Sequence, residues 1–106
     1  MKPPMWTLDQ GLALVRIIQP RTRRFSYHLA LGGGVLNAGH SHHDLDLYFL
    51  PLDDDTRDSD GLVAFLERLW GTSESLERED YPVDPTWIKI KFLRDTRRID
   101  AFIYRG

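Results

Sequence analysis

Two aspartates one residue apart, Asp44 and Asp46, and a third far downstream, Asp100, each sit inside an alternating apolar pattern. In Asp44-Leu45-Asp46-Leu47-Tyr48-Phe49, extended backbone sends Asp44, Asp46 and Tyr48 to one face and Leu45, Leu47 and Phe49 to the other. The segment Arg98-Ile99-Asp100-Ala101-Phe102-Ile103-Tyr104 repeats the arrangement, with Ile99, Ala101 and Ile103 opposite Asp100. Three carboxylates on strand faces offer hard oxygen donors. These suit Mg²⁺ or Mn²⁺, which bind through a few carboxylates together with substrate phosphates. Upstream, Leu31 leads into Gly32-Gly33-Gly34, and nine residues, 35–43, separate the glycines from Asp44. Glycine lets backbone amides approach a phosphate with no Cβ in the way. The chemistry these residues could share is the joint holding of phosphates and a divalent metal.

The glycine pair Gly33-Gly34, the short gap, Asp44-x-Asp46 between apolar residues and the later Ile99-Asp100-Ala101-Phe102 resemble the DNA polymerase β-like nucleotidyltransferase superfamily over roughly residues 25 to 104. The resemblance implies a small mixed α/β (α+β) sheet with helices on one face, as a single minimal nucleotidyltransferase domain spanning 1–106. It also implies transfer of an NMP, AMP first among them, from an NTP such as ATP to a hydroxyl of a protein, an RNA or a small molecule. Asp44, Asp46 and Asp100 would be the catalytic and metal-binding residues, and Gly33, Gly34 and Ser41 would contact the nucleotide. Many relatives carry Gly-Ser where this chain has Gly33-Gly34, which leaves the phosphate contact to backbone amides. Small members often accompany a helical partner protein, and some adenylylate it. A non-catalytic module of the same fold, holding a nucleotide or a partner, is the alternative.

The histidines support a different chemistry. His40, His42 and His43 precede Asp44 in a His-x-His-His-Asp run, the opening of a zinc or iron hydrolase ligand set. Such a site needs further histidines downstream, and the remaining one, His28, lies upstream. The run also reads as a solvated turn in which an imidazole, titrating near pH 6.5, touches phosphate.

The elements that must position these residues follow from periodicity. Thr7 and Gln10 form a capping-box pair, and Leu8, Leu12, Val15 and Ile18 recur at helical spacing, which predicts a helix over 8–19 ended by Pro20. Alternation of Phe25, Tyr27, Leu29 and Leu31 predicts a strand delivering the chain into the glycines, and residues 35–43 suit a short helical turn. A strand over 44–50 and an acidic loop of Asp53, Asp54, Asp55, Asp58 and Asp60 come next. Leu62, Phe65, Leu66 and Leu69 then mark a helix ending near Gly71. Residues 72–85 read as a surface connection, and 86–92 with 98–104 as an antiparallel hairpin. The helices are expected on the face away from the acids. Trp6, Trp70 and Trp87 read as core or rim, while Tyr48 and Tyr104 share the acids' faces and suit a pocket lining.

At 106 residues, with 42% apolar residues and no cysteine, the chain suits one domain without disulfides and, by default, a cytoplasmic setting. No apolar run reaches membrane-spanning length, and the N-terminus carries no secretory pattern. A net charge of −2 gives no global field for nucleic acid. The basic clusters Arg21/Arg23/Arg24 and Arg94/Arg97/Arg98 read as solvated ends of elements.

Overall fold

The computed structural model describes residues 6–33, 38–41, 44–71, 77–80, 86–94 and 97–105. In chain order the described elements are β1 (Trp6–Thr7), α1 (Leu8–Thr22), a 3₁₀ turn (Arg23–Phe25), β2 (Tyr27–Gly32), β3 (His40–Ser41), β4 (Asp44–Pro51), α2 (Ser59–Trp70), β5 (Glu77–Asp80), β6 (Trp87–Arg94) and β7 (Arg97–Tyr104). Five strands form a mixed sheet in the order β2-β4-β7-β6-β5, and β1 pairs with β3 in a separate two-stranded ladder. Strands β4 and β7 run parallel at the centre, and every other pair in the large sheet is antiparallel. A parallel pair requires a crossover. The connection from β4 to β7 runs through α2, β5 and β6.

Alternation within the strands separates the two faces. Leu45, Leu47 and Phe49 of β4 and Ile99, Ala101 and Ile103 of β7 are fully buried, together with Ile88, Ile90 and Phe92 of β6. The helices close this face. Gly11 of α1 lies so near Leu45 and Leu31 that a Cβ there would meet their methyl groups at 3.1–3.3 Å. Trp70 of α2 sets its ring edge-on to Phe92, with centroids 5.0 Å apart. The acids stand on the opposite face, which neither helix covers. This is the mixed α/β fold expected from the sequence, with its helices on the expected side.

Helix α1 starts at the expected capping box: Gln10 N–H donates to Thr7 Oγ1 and Thr7 N–H to Gln10 Oε1. It does not stop at Pro20 but continues through it to Thr22. The edge of the sheet explains the extra turn. Thr22, fully buried, donates to the carbonyls of both Gln19 and Tyr27, and Leu29 N–H donates to Gln19 Oε1 at 2.8 Å. The end of α1 thus satisfies backbone groups on the outer side of edge strand β2, which would otherwise invite pairing with another chain. Thr22→Val keeps the shape and removes both hydrogen bonds, so it should lower stability by about 1–3 kcal/mol. The check is thermal unfolding, with the midpoint down by roughly 4–8 °C per kcal/mol.

Three further differences from the sequence expectation concern the connections. Phe25 belongs to the 3₁₀ turn, not to the strand. Glu77–Asp80, inside the stretch read as a surface connection, is an edge strand paired with β6. The β1–β3 ladder was not expected at all, since each strand is two residues long. The acidic loop serves local structure: Asp58 caps α2 by accepting from Gly61 N–H, Asp53 accepts from Asp55 N–H, and Asp54 pairs with Arg57 at 2.8 Å. Among the described residues, no helix is long and apolar enough to cross a membrane.

Candidate metal centre

Register brings the three aspartates together. In the parallel β4–β7 pair, Asp46 lies directly across from Asp100, and Asp44 lies across from Arg98. Facing residues of paired strands point to the same side of a sheet, so the carboxylates of Asp46 and Asp100 are forced into one space, with Asp44 two residues along. One carboxylate oxygen from each of Asp44, Asp46 and Asp100 lies within 4.8 Å of the other two. The trio can hold a metal ion. Asp44 and Asp46 are partly exposed, and Asp100 is 4% exposed.

Electrostatics alone opposes this arrangement. Burial, then the Asp44 charge, raises the Asp46 pKa to about 6, partly offset by Lys89. Asp100 rises to about 7 through burial, a hydrogen bond with Asp44 and the charges of Asp44 and Asp46, again partly offset by Lys89. Two carboxylates share a hydrogen bond only when a proton lies between them, so the Asp100 O–H donates to Asp44. A proton brings one positive charge to the trio, and a divalent cation would bring two. The Oδ1 atom of Asp100 is buried without a hydrogen-bond partner. Three carboxylates whose oxygens lie within 4.8 Å of one another suit an oxygen-binding divalent cation, which would supply the missing positive charge.

The glycine expected to approach phosphate has a visible reason to be glycine. Gly32, at the end of β2, pairs with Asp46, so the chain leaves the sheet beside the acids. Gly33 follows with φ +66°, and a Cβ there would lie 2.8 Å from Asp46 Cγ and nearer still to Oδ2. The positive φ and the close approach both exclude larger residues. A Cβ at Gly32 would fall 2.6 Å from the Tyr48 ring, which occupies that space.

Of the remaining expected site residues, Gly34 lies outside the described residues. Ser41 sits in β3 across from Trp6, off the sheet that carries the acids. His42 and His43 also lie outside the described residues, and His40 is exposed in β3. The described metal-competent cluster is built of carboxylates and contains no histidine. The small ladder is fastened near the acids: Trp6 Nε1–H donates to the carbonyl of Arg98, the residue opposite Asp44, and the Arg97 guanidinium lies 4.2 Å from the centre of the Trp6 ring.

Sequence reasoning passed over Lys89 and Lys91. Lys91 pairs with Asp100 across β6–β7, and Lys89 lies one row away, where its charge lowers the pKa of both Asp46 and Asp100. The signal was present in the alternation of β6, which sends Trp87, Lys89 and Lys91 to the acids' face.

The raised pKa values fix the sign of a pH effect. Without metal, the folded chain binds more protons than the unfolded chain between the ordinary carboxyl value of 3.8 and about 7. The contribution of these two groups to stability therefore falls as pH rises through that window. In chelator, the melting temperature of the native chain minus that of Asp100→Asn should decline from about pH 4 to pH 7.5. Saturating Mn²⁺ should reverse the decline, because metal binding displaces these protons. A flat difference in chelator would mean that the carboxyls are not crowded.

No protein-family model matches the chain, and no curated protein matches it. The reading of the site rests on its own geometry.

Proposed function

We propose that the chain is a metal-dependent nucleotidyltransferase that moves an NMP, most readily AMP, from an NTP to a hydroxyl acceptor. The observation that carries this reading is the convergence of Asp44, Asp46 and Asp100 within 4.8 Å beside the positive-φ Gly33. In the reaction, the acceptor oxygen forms a bond to the α-phosphorus, the bond from that phosphorus to the bridging oxygen breaks, and pyrophosphate leaves with the electron pair.

Asp44 and Asp46 would hold the cation together with the nucleotide phosphates, and Asp100 would complete the set. Bound Mg²⁺ or Mn²⁺ would neutralise charge on the phosphates and on the attacking and leaving oxygens. Asp100, across the strand pair from Asp46, would also take the acceptor's proton. Backbone amides at Gly33 and Gly34 would contact the phosphates, with Ser41 as a further contact. Lys89, on the same face, would offset the negative charge that collects there.

The test is incubation with an NTP labelled at the α-phosphate, Mg²⁺ or Mn²⁺ and candidate protein, RNA and small-molecule acceptors, beside Asp44→Ala. Transfer of α-label, no transfer of γ-label and loss of both binding and transfer in the variant support the reading. NTP binding with no transfer to any acceptor favours the non-catalytic module. Tightly held zinc or iron with hydrolytic turnover would favour the histidine-based chemistry.

A further inference from the structure

Between the end of α1, the 3₁₀ turn and α2 lies an open groove of about 430 Å³, lined by Arg21, Arg24, Phe65, Arg68 and Leu69. Arg24 leans over its apolar floor, with the guanidinium carbon 4.8 Å from the Phe25 ring centre and 5.6 Å from that of Phe65. Among the described residues the lining includes no carboxylate, and no ion pair engages any of the three guanidiniums. All three arginines are exposed, and so is Leu69, at 40%.

A surface of the opposite sign stands beside this groove. Leu52, 56% exposed, leads into Asp53, Asp54 and Asp55, all exposed. Leu52 N–H donates to the Ser26 carbonyl, Ser26 Oγ and Thr56 Oγ1 share a hydrogen bond at 2.6 Å, and Asp58 N–H donates to the Phe25 carbonyl. These bonds fasten both ends of the acidic loop next to the turn that carries Arg24. Within its own chain the loop turns inward: Asp53 accepts from Asp55 N–H and Asp54 pairs with Arg57, while the groove arginines stay unpaired. Of the four exposed large apolar side chains among the described residues, Leu52 and Leu69 are two, one inside each charge cluster.

We propose that groove and acidic loop are the two halves of one self-complementary interface, through which two copies of this chain pair about a two-fold axis. Leu52 of each copy covers Phe65 and Leu69 of the other, and the loop aspartates meet Arg21, Arg24 and Arg68. Two-fold pairing makes every contact twice, so each copy must present both members, and complementary patches side by side meet that requirement. Guanidinium groups suit carboxylates because the planar fork bonds them in pairs. A net charge of −2 leaves little repulsion between copies. Leu52 lies six residues beyond Asp46, about 20 Å of extended chain, so pairing leaves the acids open and stands or falls apart from the nucleotidyltransferase reading.

The experiment is sedimentation equilibrium of the full chain between about 10 µM and 1 mM, the range of a small transient interface. The mass should double with concentration at low salt, and the dimer should weaken as salt screens the charges. Two exposed double substitutions reverse one patch each: Arg21→Glu with Arg68→Glu makes the groove acidic, and Asp54→Lys with Asp55→Lys makes the loop basic. Either variant alone should self-associate at least about a hundredfold more weakly, because like charges then face each other. An equimolar mixture of the two should recover the dimer, since the acidic groove of one meets the basic loop of the other while the second contact keeps its native pair. Leu52→Ser, which leaves every charge in place, should weaken the native dimer about tenfold or more. Melting curves establish that each variant is folded.

A native chain that stays monomeric across the range overturns the interface. So does a reversed variant that dimerises like the native chain, or a mixture of folded variants that stays monomeric. Binding of an acidic peptide or of RNA to the groove of a chain that remains monomeric would likewise overturn the second copy as its occupant.

Discussion

Asp46→Asn is expected to lower nucleotide transfer by about a hundred- to a thousandfold while the chain stays folded. In the proposed site this carboxylate helps to neutralise the charge that develops at phosphorus, and removing one such electrostatic contact typically costs 10²–10³-fold or more. The substitution keeps the shape of the side chain and removes an ionisation that its surroundings disfavour, since burial and Asp44 already raise the Asp46 pKa to about 6. In chelator at neutral pH, Asp46→Asn should therefore melt no lower than the native chain, and higher if the neighbours stay in place. Loss of activity without loss of stability separates a functional carboxylate from a structural one. Asp60→Asn, on the exposed first turn of α2, is the control and should leave transfer unchanged while costing no more than about 1 kcal/mol of stability through the lost helix-terminus charge. The measurement pairs α-label transfer at saturating Mn²⁺ with thermal unfolding in chelator. Equal activity in Asp46→Asn would remove the trio from the chemistry.

Much of this geometry could be read from local pattern because it is encoded by local pattern. The period of two in 44–49 and 98–104 fixes which side chains share a face, and buried Leu45, Leu47, Ile99 and Ile103 hold the register against slippage. The N-terminus of α1 was legible for a similar reason, because Thr7 and Gln10 bond each other within a single turn. Its C-terminus was not. Pro20 is a breaker in isolation, but a proline near the end of a helix forfeits little, and the bonds from Gln19 and Thr22 to β2 are tertiary. Strand β5 escaped because Glu77-Arg78-Glu79-Asp80 has no apolar alternation, and only pairing with β6 makes it a strand. Lys89 and Lys91 were visible in the sequence, but their relation to Asp46 and Asp100 depends on the order β4-β7-β6, which no local pattern specifies.

Gly33→Ala should cripple the site with a smaller effect on the fold. At φ +66°, an alanine meets the strain of left-handed backbone, about 1–2 kcal/mol, and its methyl group would collide with the Asp46 carboxylate. One of the two must move. Backbone tied to β2 yields less readily than a side-chain torsion, so Asp46 swings away from Asp44 and Asp100. Mn²⁺ affinity should then fall about 10–100-fold, the range found when metal ligands lose their positioning groups. Transfer should fall at least as far. Gly39→Ala separates strain from collision: Gly39 also has positive φ, at +78°, but a Cβ there meets nothing within 4 Å. It should lose about as much stability as Gly33→Ala and keep metal affinity and transfer close to native. Isothermal titration with Mn²⁺ and melting curves for the two variants give the comparison. If both lose metal affinity equally, backbone strain alone governs the site and Gly33 has no special bearing on Asp46. If only Gly33→Ala loses it, the space that glycine leaves open is what allows three carboxylates to meet.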